Sequence, residues 1–175
     1  MSFNVAFQMD HIETLSISGD TTFALCLEAQ QKRGHKIFHY TPDKLTYKNG
    51  KTTSLIEPLQ VMDDEDNHFT LGKPFETDFL DIDFVLMRQE PPFNMNYITY
   101  THLLEHLPKN TRVINNPISV RNAPEKLLVT FFEDLMPETL ISLDADAILN
   151  FQKIHKDIVL KPLYGKGGEG IIRLQ

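Results

Sequence analysis

Residues 1–40 constrain the fold most, because they spell strand, helix and strand in one uninterrupted run. Residues 3–9 (FNVAFQM) read as a β-strand ending at Asp10. Asp20-Thr-Thr is a helix start, since an aspartate there can accept from backbone N–H groups that the first turn leaves unpaired. The apolar residues Phe23, Ala24, Leu25, Cys26, Leu27 and Ala29 carry that helix to about Arg33. Gly34 stops it, as a glycine that tolerates positive φ should. Residues 36–40 (KIFHY) form the second strand. Two strands joined through a helix pair in parallel, because a tight turn cannot carry the chain back to the starting edge. The prediction is an α/β fold with a Rossmann-like parallel sheet.

The pattern continues after an interruption. Residues 45–48 and 51–55 flank Asn49-Gly50, the preferred type I′ turn of a β-hairpin. The acidic run at 63–66 reads as a solvated loop rather than a metal site. Residues 84–87 (FVLM) form a buried strand, and Pro91-Pro92 stiffens the loop beyond it. Asn96 is expected to cap a helix over residues 97–106. A strand at 112–114 and a turn at 115–117 follow. Asn122-Ala-Pro-Glu125 reads as a helix N-terminus, with Asn at the cap, Pro in the first turn and Glu at the third position. It predicts a helix over residues 126–134. A strand at 139–143, a helix at 144–154 and a strand at 158–162 complete the reading. The change of pattern near 115–122 predicts two domains, 1–121 and 122–175.

Charge and composition narrow the function. The net charge of −7 argues against nucleic acid as the main partner, though not against a local basic pocket for a nucleotide. Cys26 is the single cysteine, which rules out an intrachain disulfide and a thiolate-rich metal site. Its apolar neighbours favour core packing over a reactive thiol. No apolar run is long enough to cross a bilayer, and the N-terminus lacks a signal-peptide layout. The expectation is a cytoplasmic protein without a membrane partner.

The chemistry concentrates at the end of the chain. Four of the six residues from 165 to 170 are glycine, between the β-rich runs 158–162 and 171–174. A Walker-type P-loop or a Rossmann fingerprint would open a helix after its glycines, whereas Ile171-Ile172 favours a strand. A glycine loop between antiparallel strands fits better. Its N–H groups, with Lys161 and Lys166, suit a phosphate chain, although a plain flexible hairpin also has this composition. Lys161 is expected inside an apolar strand, where burial without an anion would be costly. Lys126 is a second cation, at a helix start. Arg88 and Asp10 each follow a strand, the end of an α/β sheet where ligands bind. The seven histidines are scattered, and His102 with His106, although four apart, reads as a surface face on a short helix. No nucleophile elbow is present, and the sequence assigns no catalytic residue.

Taken together, these segments resemble the bacterial glutathione synthases of the ATP-grasp superfamily. The resemblance rests on Met9-Asp10, Asp20-Thr-Thr, the run from Asp81 through Arg88 to Pro91-Pro92-Phe93-Asn94, Val113-Ile-Asn-Asn-Pro117, Arg121-Asn-Ala-Pro-Glu-Lys126 and Leu160-Lys-Pro-Leu-Tyr-Gly-Lys-Gly-Gly168, all in order. It implies a pre-ATP-grasp domain (1–121) followed by the first part of an ATP-grasp α+β domain (122–175). It also implies an ATP-dependent ligase joining γ-glutamylcysteine to glycine through an acyl phosphate, in a homo-oligomer or with a complementary C-terminal chain. By the same resemblance Lys126, Lys161, Gly165, Lys166, Gly167 and Gly168 bind ATP, and Asp20, Thr21 and Arg88 meet the peptide substrate. Gln89-Glu90 and Asn94 depart from the Lys-Asp and Asp usual in the family, and Tyr164 and Lys166 differ from its commonest loop residues. The family extends well beyond the glycine loop, so the chain reads as truncated, with the Mg²⁺ ligands expected in the missing part. The expectation is therefore no activity from these residues alone and poor order from about residue 158. The alternatives are half of a split enzyme, a non-catalytic interaction module, or a doubly wound domain with an unrelated ligand.

Overall fold

The strand–helix–strand unit expected of residues 1–40 is what forms. The computed structural model describes residues 1–64, 66–165 and 167–175. These divide into a first unit, Met1–Glu90 with Asn96–Arg121, and a second, Pro91–Met95 with Asn122–Gln175.

In the first unit β1 (Asn4–Gln8) pairs in parallel with β2 (Lys36–Tyr40) through the crossover helix α1 (Thr21–Leu27). Asp20 caps α1, its carboxylate accepting from the Thr22 N–H at 2.7 Å. The helix then widens into a π-helical turn over Glu28–Lys32, which the residue pattern did not signal. Gln30 and Gln31, adjacent in this turn, both donate to the strand at Lys51–Val61, to the carbonyls of Leu59 and Val61 at 2.9 Å each. The hairpin of β3 (Thr46–Lys48) and β4 (Lys51–Val61) turns at Asn49 (φ 52°) and Gly50 (φ 82°), the two positive angles of a type I′ turn.

The long strand β4 runs antiparallel to β2 and also pairs with β5 (Phe69–Leu71) and β6 (Phe75–Thr77). On the other side β7 (Phe84–Met87) lies parallel to β1, and β8 (Arg112–Ile114) parallel to β7. The sheet order β3-β4-β2-β1-β7-β8 thus has the expected parallel centre and an antiparallel flank. Period-two alternation along β1 splits the core. Val5 and Phe7 join Phe23 and Cys26 on the α1 face, while Ala6 joins Tyr40, Val85 and Leu104 on the other. Leu104 comes from α2 (Met95–Leu104). That helix starts two residues earlier than expected, so Asn96 lies within it instead of capping it.

A further correction concerns residues 115–122. Here Pro117 opens α3 (Pro117–Asn122), and Asn116 caps it, its side-chain oxygen accepting from the Ser119 N–H at 3.0 Å. An Asn followed by Pro is itself a helix start, so Asn122 ends a helix and does not cap the next one.

In the second unit α4 (Glu125–Leu128) is preceded by Pro124, with no side-chain cap. The helix expected over 126–134 breaks into short 3₁₀ turns at Val129–Phe131 and Glu133–Leu135. The run Val129-Thr130-Phe131-Phe132 has low helix propensity, and the Thr130 hydroxyl bonds back to the Leu127 carbonyl at 2.7 Å. Residues 139–143 form no strand, because no described strand pairs with them and unpaired strand backbone has no ladder to join. Helix α5 (Ala145–His155) does form, capped by Asp144, whose carboxylate accepts from the Asp146 N–H at 2.9 Å. Finally β9 (Ile158–Leu160) and β10 (Ile172–Leu174) pair antiparallel around the glycine loop. No described helix is long and apolar enough to cross a membrane.

Candidate functional site

Two neighbourhoods gather the candidate residues, one in each unit. In the first unit they lie at the carboxyl ends of β1 and β7. Arg88 follows β7 directly, and its backbone N–H bonds to the Gln8 carbonyl at 2.7 Å, continuing the sheet by one residue. Its guanidinium Nε donates to the Thr22 hydroxyl at 3.1 Å and its Nη2 to the Thr21 hydroxyl at 2.8 Å. Thr22 in turn gives its N–H to Asp20. The structure thus brings Asp20, Thr21 and Arg88 together, with Thr22, which the sequence marked only as part of the helix start, as the link. Both guanidinium contacts are to neutral hydroxyls, and among the described residues no ion pair involves Arg88. The guanidinium therefore carries its charge half-exposed to solvent, among the carboxylates of Asp10, Asp20 and Glu90.

Asp10 stands beside it at the end of β1, its carboxylate accepting from the Glu90 N–H at 3.1 Å. Beneath this arm runs a buried polar chain. The Tyr40 hydroxyl donates to Gln8 Oε1 at 3.1 Å, and the Gln8 amide donates to Gln89 Oε1. Burial pushes the Tyr40 phenol well above its ordinary range, so it remains a neutral donor. The available signal for this chain was Gln8, a polar residue directly after the apolar run Val5-Ala6-Phe7. Burial also raises the half-buried Tyr97 phenol, helped by the charge on Glu90 and opposed by Arg88.

Two titratable groups close this neighbourhood. Burial, then the Asp20 carboxylate, pushes the Cys26 thiol up to about 12, against the opposing charge of Arg88. Cys26 is a neutral core residue at pH 7, as its sequence context suggested. His39 is held below its ordinary value chiefly by burial. Its contacts with the Asp10 carbonyl and Glu57, both at 3.4 Å, offset part of that effect.

In the second unit the candidates lie around the hairpin of β9 and β10. Gly167, Gly168 and Gly170 have φ of 61°, 80° and 70°. Only glycine enters that region without strain, so their spacing sets the path of the loop. Lys126 reaches the hairpin from α4, its Nζ donating to the Pro162 carbonyl at 2.6 Å and the Gly165 carbonyl at 2.8 Å. The rings of Phe93 and Tyr164 stack at 6.3 Å and 23°. Lys161 corrects the sequence argument: it lies just past β9 and is exposed, so no burial cost calls for an anionic partner. Lys166 and Glu65, the latter within the acidic run, lie outside the described residues. A hollow of about 550 Å³ lined by Thr130, Glu133, Met136 and Glu138 takes in none of the predicted site residues.

The residues present do not fit a magnesium ion. That ion needs carboxylate oxygens beside the phosphates, and among the described residues no group of three or more His, Cys, Asp or Glu is placed to hold a metal.

Residues 3–121 match the family model described as prokaryotic glutathione synthetase, N-terminal domain. Residues 125–175 match that of prokaryotic glutathione synthetase, ATP-grasp domain. The chain is 54% identical over 174 residues to a glutathione synthetase of Brucella melitensis biotype 1, covering 99% of this chain and 55% of that relative. Against one from Mesorhizobium japonicum the figures are 54% over 174 residues, 99% and 55%. Against one from Yersinia pestis they are 39% over 168 residues, 95% and 52%. The chain spans about half the length of the curated relatives it matches.

Proposed function

The chain belongs to the prokaryotic glutathione synthetase family, and from that premise we propose that it serves the ATP-dependent ligation of γ-glutamylcysteine to glycine. The reaction of such a ligase passes through an acyl phosphate on the dipeptide carboxylate. Residues 1–121 would be the pre-ATP-grasp domain and 122–175 the beginning of the ATP-grasp domain. The observation that carries the reading is the hairpin of β9 and β10. Three glycines with positive φ shape it, and a lysine from α4 is seated on it, within the segment that matches the ATP-grasp model. Phosphoryl transfer is mostly positioning and charge neutralisation, and these are the means the chain supplies.

In this reading Lys126, Lys161 and Lys166 contribute cationic charge toward the nucleotide phosphates, and Gly165, Gly167 and Gly168 let backbone N–H groups approach them. Arg88, oriented by Thr21 and Thr22 beside Asp20, offers its guanidinium to a carboxylate of the peptide substrate. Magnesium would require ligands from outside residues 1–175. A homo-oligomer or a complementary chain, and a cytoplasmic location, belong to the same proposal.

Calorimetric titration of ATP into the chain tests it. Binding is expected, and Lys161→Ala should weaken it about fivefold or more, the scale of one charge-assisted contact. Residues 1–175 alone should give no ligation. Absence of ATP binding would remove the nucleotide reading. Turnover by the chain alone, lost in Lys161→Ala, would overturn the need for outside metal ligands. A non-catalytic binding module predicts ATP binding with no ligation even when the remaining half of a relative is supplied as a second chain.

A further inference from the structure

We infer that Lys126 is the positioning residue of the glycine hairpin, a role separate from any charge it offers a phosphate. The inference deepens the nucleotide reading and rests on it only for the phosphate. An ammonium has three donors and no acceptor. Two of those on Lys126 are committed to main-chain carbonyls, Pro162 at 2.6 Å and Gly165 at 2.8 Å. Both distances are short, as charge-assisted bonds are. The two carbonyls bracket the turn by which the chain leaves β9, so one side chain fixes the entrance of the loop.

The exit of the loop returns to the same place. Gly170, at φ +70°, passes so close to the Pro162 ring that a Cβ there would lie 2.9 Å from Pro162 Cγ. Pro162 is therefore held through its carbonyl by Lys126 and covered on its ring by Gly170. Entrance and exit converge on one residue, and Lys126 ties that residue to α4. The third donor of the ammonium stays available for a phosphate oxygen, so the charge and the loop that would cover the phosphate move as one piece. A lysine that served only as a point charge would have no reason to sit on two carbonyls of the loop.

Trypsin reads the state of this loop in the unmodified 175-residue chain. It cleaves after Lys166, inside the loop, whereas the Lys161-Pro162 bond resists it because of the proline. Without nucleotide, Lys126→Met should be cut between residues 166 and 167 about fivefold faster or more, since cleavage tracks the population of the opened segment. Lys126→Arg, which keeps donors for both carbonyls, should stay within about twofold of the wild type. Gly170→Ala disturbs the Pro162 contact from the other side and should accelerate the same cut, which keeps the test decisive if Lys126→Met does not fold. Equal rates for wild type and Lys126→Met, or Lys126→Arg cut as fast as Lys126→Met, would overturn the inference. ATP titrations of the same variants separate the two readings. Weakened ATP binding with unchanged cleavage sinks the positioning role and leaves the nucleotide reading. Accelerated cleavage in a chain that binds no ATP does the reverse.

Discussion

In the first unit Val5 and Phe7 face one layer of core and Ala6 faces the other. In the second, Ile158 is the sole buried residue among those described. The same local signals were available in both: helix caps, apolar runs and turn residues. In the first unit burial enforces them, because a strand shifted by one residue would force Phe7 into the space Ala6 fills in the other layer and put small or polar neighbours where Phe7 packs. In the second unit hydrogen bonding and propensity decide. There Thr130 bonds back to Leu127 and the helix expected over 126–134 gives way to 3₁₀ turns. A pattern is a reliable guide to structure where many side chains must be buried together, and a weak one where few are.

Core truncation should expose the contrast most sharply. Phe7→Ala, at a fully buried site, should cost about 3–5 kcal/mol. Leu143→Ala, at a fully exposed site, should stay within about 0.5 kcal/mol. Urea unfolding followed by circular dichroism measures both, and a similar cost at the two sites would break the comparison. The next effect separates the two neighbourhoods by ligand. Arg88→Met should weaken γ-glutamylcysteine binding about tenfold, the loss of a charged hydrogen-bonding partner, and leave ATP binding unchanged. Calorimetry showing loss of both ligands would mean that Arg88 supports the fold.

A smaller effect is expected at the Asn49-Gly50 turn. Gly50→Ala meets no atom within 4 Å, so its cost is backbone strain alone, about 1–2 kcal/mol in thermal unfolding. Gly170→Ala has similar strain plus the collision with Pro162, yet little buried structure depends on it. It should show in loop cleavage and scarcely in the unfolding midpoint.

The mildest effect is one of pH. His39 titrates below its ordinary 6.5 in the folded protein, so between that value and its folded pKa the unfolded chain binds more protons. Its contribution is complete above about 6.5 and is lost as pH falls toward the folded pKa. His39→Gln should flatten this part of the stability–pH curve, and an unchanged slope would assign the dependence to other groups.

Much of the sheet was legible. The parallel pair β1 and β2, the type I′ hairpin and strand β7 follow from periodicity and turn chemistry. Strands β5 and β6 were not, because each is three residues long and exists through pairing with β4, a long-range fact. At the strand ends Arg88 and Asp10 could be named from position, while Asp20 and Thr21 were named through the family resemblance. Thr22 and the Tyr40–Gln8–Gln89 chain could not, since each depends on which side chains the sheet brings face to face. In the second unit the glycines announced the loop. Lys126 could be suspected as a cation, but its seat on the Pro162 and Gly165 carbonyls depends on contacts 36 and 39 residues apart.

The short segment Pro91–Met95 bears on how the two halves of such a chain could be exchanged. It lies between stretches of the first unit in sequence yet belongs to the second in space. A chimaera joined after Arg121 would inherit Phe93 from one parent and its stacking partner Tyr164 from the other. Grafting residues 122–175 onto a foreign amino-terminal half therefore calls for moving this internal pentapeptide with them. The natural unit of recombination here is two pieces of sequence, not one.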